Sequence, residues 1–369
     1  MSGKVKVCHF TSIHPAGDTR IFVKECSSLS KAGYDVYLVA VNTEDKIING
    51  VHVINVPVQA GGRLHRMTSV AYDVFKKALS LDADIYHFHD PELIPFALRL
   101  IAKGKRVIYD VHEDIPRQIL AKYYIPKLFR GLISGITESI ENYAARKFSW
   151  IITATPHIRD RFLKFNKQVT DVCNFPVRNE LTNTTSYKLK PRQICYVGSI
   201  TRARGILELV EAMEGLPYEL HLCGEFSPLS LRNEAMKLGG WKNVVEHGYA
   251  SREQVKSVLE NSRAGMVTLH PIINYIDAYP VKMFEYMLAG LPVIASNIPL
   301  WNEIVDKASA GYCVDPLKPS EIKEAIVKIM ENEQASEIMG RNGKAAVELN
   351  YNWTREEIKL LDIYKQLSN

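Results

Sequence analysis

The sequence predicts an α/β protein built from two doubly wound, Rossmann-like domains, and three observations carry that prediction. Short β-branched runs alternate with helical segments through both halves of the chain, the pattern of parallel strands joined by right-handed helical crossovers. A length of 369 residues exceeds one ordinary core and suits two of roughly 150 to 200 residues each. The alternation stops at Asn174-Phe175-Pro176, and Asn179 to Lys190 is polar and turn-rich, as a connection between domains would be. Two such domains facing a central cleft bring the carboxyl ends of their strands to one crevice, where open α/β sheets bind ligands.

In the first half the expected strands are Lys4 to Phe10, Tyr34 to Val41, Val51 to Val56, Asp84 to His89, Arg106 to His112 and Trp150 to Thr155. Ile21, Phe22, Cys26 and Leu29 recur at helical spacing after the first strand, and Gly33 supplies the stop. The loop Ser12-Ile-His-Pro-Ala-Gly17-Asp18-Thr-Arg20 joins the two, with Asp18 as N-cap and Arg20 either a functional cation or a helix-surface residue. His87 and His89 lie two apart on a strand and share a face. No third ligand at a fixed helical spacing accompanies them, so N-capping by Asp90 or shaping of an acceptor site is expected rather than a metal. His112-Glu113-Asp114 places ionisable groups at another strand end. From Tyr123 to Phe148, Leu128, Phe129, Leu132, Ile133, Ile136, Ile140, Tyr143 and Ala144 mark one stripe of a long amphipathic helix. Core packing is the expected role of that stripe, and Lys122, Lys127 and Arg130 at its start suit contact with anionic lipid.

The second half repeats the pattern with strands Gln193 to Gly198, Tyr218 to Gly224, Val244 to Gly248, Ala264 to Leu269 and Leu291 to Ala295, each followed by a helical segment. The expected divisions are therefore 1–175, a linker 176–190, a second domain 191–350, and a tail 351–369.

Composition narrows the function classes. Apolar residues make up 46% and charged residues 24%, ordinary values for a chain folded from end to end. The net charge of +5 comes from Lys and Arg interleaved with acids, which suits a local anion site and not a nucleic-acid groove. Six cysteines (Cys8, Cys26, Cys173, Cys195, Cys223 and Cys313) form no CxxC pair, so neither a disulfide framework nor a zinc site is expected. The start shows no signal-peptide pattern, and no apolar stretch approaches the roughly 20 residues a spanning helix needs. A cytoplasmic protein is expected, with any membrane contact peripheral at the inner face.

The most informative segment runs Asp277-Ala-Tyr-Pro-Val-Lys282-Met-Phe-Glu285-Tyr-Met-Leu-Ala-Gly290-Leu-Pro-Val-Ile-Ala-Ser296. It reads as a loop, a helix opened near Pro280, a glycine stop and a buried strand, with Asp277 before the helix start, where an acid can cap free N–H groups. The segment resembles the signature of family 4 (group 1) glycosyltransferases, retaining enzymes of the GT-B fold in which seven residues separate two acids. The stretch Gly198-Ser199-Ile200-Thr201-Arg202-Ala203-Arg204-Gly205 resembles the same family's Gly-Arg-Leu, three residues, Lys-Gly element.

Carried over by position, the resemblance implies that Glu285 binds the ribose hydroxyls of the donor and Asp277, one methylene shorter than the usual Glu, contacts the donor sugar. It gives Arg204 the role of the element's lysine at the diphosphate. Ser199 replaces the customary arginine beside Gly198, a loss for which Arg202 or Lys282 compensates, and Lys282 fits a Pro-x-Lys-x-Phe-Glu-Tyr variant of the acidic motif. Gly17 matches the glycine-containing first loop that approaches donor and acceptor. His112 matches the family's histidine near the reacting sugar and is assigned to positioning. Gly224 and Gly248-Tyr249 fall where the family places nucleotide contacts. Trp353 and the run to Leu367 resemble its C-terminal helix, which returns to the first domain.

The catalytic expectation is thus His112, Asp277 and Arg204. The donor-binding expectation adds Gly17, Gly198, Gly224, Tyr249, Lys282 and Glu285. No metal or other cofactor is implied, since the sequence offers no convincing Asp-x-Asp metal element and cations can neutralise the leaving group. The implied reaction is retaining transfer of a sugar, after domain closure, from a nucleoside diphosphate sugar with uridine favoured. The implied acceptor is a glycan or a lipid-linked sugar in cell-surface polysaccharide synthesis. Two rivals stand beside it: a sugar-nucleotide epimerase of related fold, and a non-catalytic nucleotide-sugar-binding protein, the latter motivated by Asp277 and Ser199.

Overall fold

The computed structural model describes residues 4–59, 61–122, 125–178, 180, 181 and 185–368. The chain forms two compact units, Met1–Asn174 with Thr354–Asn369, and Phe175–Trp353.

The first unit holds an eight-stranded sheet. Its strands are β1 (Lys6–Phe10), β2 (Asp35–Val41), β3 (Lys46–Ile48), β4 (Val51–Val56), β5 (Ile85–Phe88), β6 (Arg106–Val111), β7 (Trp150–Thr153) and β8 (Val169–Asp171). They lie in the order β3-β4-β2-β1-β5-β6-β7-β8, all parallel except β3, which runs antiparallel on β4. The central strands are buried on both faces, which is why they read as near-continuous apolar runs. Phe10, Phe88, Tyr109 and Ile151 meet Val74, Phe75 and Ala78 of the helix Ala71–Ser80 in one core. β3 was not expected. Its signal was Asn49-Gly50, whose φ of 52° and 75° make the two-residue turn of a hairpin.

The second unit holds a six-stranded parallel sheet. Its strands are β9 (Gln193–Val197), β10 (Glu219–Cys223), β11 (Val244–Gly248), β12 (Ala264–Val267), β13 (Val293–Ser296) and β14 (Gly311–Val314), in the order β11-β10-β9-β12-β13-β14. Its own core gathers Ile194, Tyr196, Leu209, Leu222, Met266 and Ile326.

Three segments differ from expectation or refine it. Residues 176–190, read as a linker, belong to the second unit wherever they are described; Asn179 and Thr182, Asn183 and Thr184 lie outside the described residues. Tyr187 is buried there and donates to the Arg263 carbonyl at 3.0 Å, and Lys190 Nζ donates to the Ser262 carbonyl at 3.0 Å. The helix Trp353–Ser368 packs in the first unit, with Leu360, Ile363 and Tyr364 buried and Glu356 accepting from the Cys173 amide at 2.8 Å. The long amphipathic helix spans Lys127–Ala145, while Tyr123, where it was expected to start, lies outside the described residues.

That helix does not bury the stripe expected to face the core. Leu128, Leu132 and Ile136 are 85%, 61% and 51% exposed, and Phe129, Ile140 and Tyr143 are exposed too. The inward face is the small and polar one, Ser134, Glu141, Ala144 and Ala145. Glu141 accepts from Tyr109 Oη and Arg161 Nη2, both at 2.9 Å, and Ser134 Oγ donates to the Pro116 carbonyl at 2.7 Å. Specific polar partners thus outrank apolar area in setting which way the helix faces.

Candidate functional site

In each sheet the chain reverses its winding once, between β1 and β5 in the first unit and between β9 and β12 in the second. The carboxyl ends of strands at such switch points are where ligands enter open α/β sheets. Gly17 follows β1, and Gly198 follows β9, so the loops at both switch points carry residues singled out by sequence.

In the second unit, Gly198 follows β9 with φ of 117°. A Cβ built there would stand 3.3 Å from both Lys282 Nζ and Arg204 Nη1, so two cations converge on the bare backbone of this turn. Arg204 donates to the Ser199 carbonyl at 3.1 Å, and Tyr196 Oη donates to the same oxygen at 2.8 Å. Lys282 rises from the helix Val281–Leu288, lies 3.7 Å above the Tyr196 ring, and its buried Nζ has no hydrogen-bond partner among the described residues. Burial, and then the charge of Arg204, push its pKa well below that of an ordinary lysine, against the pull of Glu285. Arg202, the other residue considered for the missing arginine, ion-pairs with Glu234 and is 57% exposed. Lys282 is therefore the cation that occupies the turn.

Glu285 lies one turn further along the helix, and its Oε1 accepts from Arg252 Nη2 at 2.8 Å. Arg252 also donates from Nε to Glu180 at 2.8 Å. Neither partner was found by sequence, since both lie far from the motif in the chain. Asp277 stays in the loop before the helix, whose N-cap residue is Pro280. The loop is anchored by Trp301 Nε1, which donates to the Ala278 carbonyl at 2.8 Å. Across the switch, Thr268 follows β12 with its buried Oγ1 unpartnered among the described residues, a feature without any motif to announce it. Gly224 sits where a Cβ would overlap the Gly198 carbonyl, so its role in shaping the turn is steric. Tyr249 is 83% exposed after β11, apart from any core packing.

In the first unit, Gly17 lies in the loop after β1, and Asp18 caps the next helix by accepting from the amides of Arg20 and Ile21 at 2.8 and 2.9 Å. Arg20 is neither a surface residue nor an open cation. It is buried and pairs with Asp110 on β6 through two hydrogen bonds, Nε to Oδ2 at 2.9 Å and Nη2 to Oδ1 at 2.7 Å. Asp110 Oδ2 also faces His112 Nε2 at 2.9 Å and His89 Nδ1 at 3.1 Å. Asp90 does not cap the following helix. It ties β1 to β5 by accepting from Thr11 Oγ1 at 2.7 Å and the Ser12 amide at 2.6 Å. His14 stands 4.9 Å from His112 between ring centres. Burial opposes its charged form, yet Asp18, Asp90 and Asp110 prevail and raise its pKa. Ligand-type atoms of His9 and Glu25 come within 4.8 Å of those of His87 and His89, companions that no sequence spacing announced. Those imidazoles already hydrogen-bond to neighbouring side chains.

Residues 177–346 match the family described as Glycosyl transferases group 1, and residues 19–174 match Glycosyltransferase Family 4. The D-rhamnosyltransferase WbpZ of Pseudomonas aeruginosa is 24% identical over 364 residues, 92% of this chain and 91% of its own. Sucrose-phosphate synthase from Thermosynechococcus elongatus superposes with a TM-score of 0.80 at 17% identity, over 99% of each chain. Anabaena Alr3699/HepE, solved in complex with UDP and glucose, superposes with a TM-score of 0.73 at 13% identity, over 98% of this chain and all of its own. The two matched segments take in most of the sequence, the second unit's switch point included, and the chain belongs to the group 1, family 4 glycosyltransferases of the GT-B fold.

Proposed function

We propose that this transferase moves a sugar, with retention at its anomeric carbon, from a nucleoside diphosphate sugar to a glycan or lipid-linked acceptor in cell-surface polysaccharide synthesis. The observation that carries the reading is Lys282, a buried amine with no hydrogen-bond partner among the described residues, whose charged form burial disfavours and which converges with Arg204 on the Gly198 turn. Uncompensated charge at a buried site costs several kcal/mol, and a diphosphate is the ligand that repays it with charge-assisted hydrogen bonds. Uridine is the first base to try, because HepE was solved with UDP.

The roles follow from chemistry. Arg204 and Lys282 take up the charge that develops on the departing diphosphate, which removes the need for a divalent ion. Glu285 takes the ribose hydroxyls through Oε2, since Oε1 is held by Arg252. Asp277 contacts the donor sugar, and His112 orients a substrate hydroxyl. The acceptor oxygen bonds to the anomeric carbon on the face from which the phosphate oxygen leaves, and the acceptor's proton passes to that phosphate oxygen.

A membrane-surface acceptor is favoured by the exposed stripe Leu128, Leu132, Ile136 and Ile140, with Lys127 and Arg130 at its start. Apolar side chains enter the headgroup boundary, and each basic residue near an anionic surface adds about 1 kcal/mol. No helix among the described residues is long and apolar enough to cross a membrane, so attachment would be peripheral.

The test is calorimetric titration with nucleoside diphosphates and their sugars, without added divalent ion. UDP binding is expected, weakened about 10- to 100-fold by Arg204→Ala and by Lys282→Met, the range of one charged hydrogen bond. A folded chain that binds no nucleotide, or a reaction product of inverted anomeric configuration, would overturn the reading.

A further inference from the structure

Behind His112 runs a file of buried polar side chains ordered by one carboxylate. His9 on β1 and His87 on β5 are register partners in the parallel ladder, and His89 follows two residues later on the same face. Tyr364 of the C-terminal helix lies across them, with Oη 2.8 Å from His87 Nδ1 and 3.1 Å from His9 Nε2. His9 Nδ1 is 3.1 Å from His89 Nε2, and His89 Nδ1 is 3.1 Å from Asp110 Oδ2. All of these side chains are buried, and all belong to the first unit.

His89 Nδ1 also stands 3.3 Å from His112 Nε2, and with Asp110 ionised both nitrogens turn a hydrogen toward the same carboxylate oxygen. Burial disfavours the charge of Asp110, but Arg20 and His112 overcome it and hold the carboxyl well below the usual carboxylate range. Glu25 is the other acid against this pair, 3.2 Å from Arg20, and burial and Asp110 raise its pKa against the pull of Arg20. An ionised carboxylate only accepts, so His89 Nδ1 and His112 Nε2 must both carry hydrogen. Burial lowers the pKa of His9 and His87, and that of His89 to about 4, so each is neutral with a single donor nitrogen. His89 Nε2 is therefore bare and accepts from His9 Nδ1. His9 Nε2 is bare in turn and accepts from the Tyr364 hydroxyl, whose oxygen accepts from His87 Nδ1. The file ends at His87 Nε2, an acceptor without a partner among the described residues.

We infer that Asp110 is the positioning residue of the transfer reaction, holding His112 by its Nε2–H so that a bare Nδ1 faces a substrate hydroxyl, with the His9, His87, His89 and Tyr364 file fixing the carboxylate from behind. The inference rests on the role proposed above for His112. Its distinctive consequence is a split of tautomers, with His112 protonated at Nε2 and the three buried rings at Nδ1.

Long-range proton–nitrogen spectra of the full, nitrogen-15-labelled chain read each tautomer without any substitution. The expected result is the split just described, and His112 in the Nδ1–H form would overturn the inference even if no variant folds. Asp110→Asn places an amide against His112 and drives it to that wrong form. Its kcat should fall about 100-fold or more, while the UDP Kd and donor KM stay within about threefold. Loss of both transfer and slow donor hydrolysis places the hydroxyl on the donor sugar, and loss of transfer alone places it on the acceptor. A fully active Asp110→Asn beside an inactive His112→Ala sinks the positioning role alone. A fully active His112→Ala removes the role of His112 itself, and the inference with it.

Discussion

In the role proposed for it, Lys282 would cost stability and bind a ligand for the same reason. Its pKa is lower in the folded chain than in the unfolded one, where lysine titrates near 10.4. Between those two values the unfolded chain binds the extra proton, so the free protein gains stability as pH rises through that window. Below the lowered value the full penalty is present. Lys282→Met should therefore raise the melting temperature of the free protein near neutral pH while it weakens UDP binding. A bound diphosphate reverses the shift, so at pH 8, where UDP is fully ionised, binding should take up as much as one proton. Calorimetry in buffers of different ionisation enthalpy reads that uptake, and its persistence in Lys282→Met would assign the proton elsewhere. The motifs made Gly198, Arg204, Lys282 and Glu285 legible one by one. The choice between Arg202 and Lys282 was not, because no spacing in sequence encodes which side chain fills a turn 84 residues away. Asp110 was hidden for a different reason: it sits in Val107-Ile-Tyr-Asp-Val111, where the apolar run reads simply as a central strand. The pairing of His9 with His87 is a product of parallel register, which sequence specifies only through the whole sheet.

At the scale of elements, most strands were legible as β-branched runs closed by turn residues. β3, β8 and β14 were not, and each of them lies at or beside the edge of its sheet, where a strand needs no long apolar run. The helix Lys127–Ala145 teaches a sharper lesson. Its stripe was plain, but the spacing of apolar residues separates two faces without saying which one meets the core. Small residues and the Glu141 partnership with Tyr109 and Arg161 decide it here. If the stripe serves a membrane, Leu132→Glu with Ile136→Glu should leave the melting temperature nearly unchanged, within about 0.5 kcal/mol of stability per exposed site. The same double variant should lose binding to vesicles containing phosphatidylglycerol in a sedimentation assay. A large fall in melting temperature would mean that the face is covered by protein in solution, and unchanged vesicle binding would end the membrane role of this helix. Tyr364→Phe tests the C-terminal helix from its buried side. It strips a donor from His9 and an acceptor from His87, and should cost about 1 to 3 kcal/mol by denaturant melts.

For the whole molecule, the decisive fact is that one architecture is used twice with separate cores. Each unit has its own switch point, and the proposed chemistry divides between them: Lys282 and Arg204 at a glycine turn in one, His112 against a buried carboxylate in the other. Binding stabilises the folded form of whatever it touches, by about 2.7 kcal/mol at a ligand concentration one hundred times Kd. If the nucleotide site is built by the second unit, UDP should move one calorimetric transition upward and leave the other in place. Deleting residues 354–369 supplies the complementary perturbation. It exposes apolar surface that Leu360, Ile363 and Tyr364 cover and leaves the Cys173 amide without its carboxylate. That deletion should lower the transition that UDP does not move, while the nucleotide Kd stays within about threefold, because Lys282, Arg204 and Glu285 all lie in residues 175–353. A deletion that instead abolishes nucleotide binding in a chain whose second transition survives would show that the donor site needs the first unit to form at all.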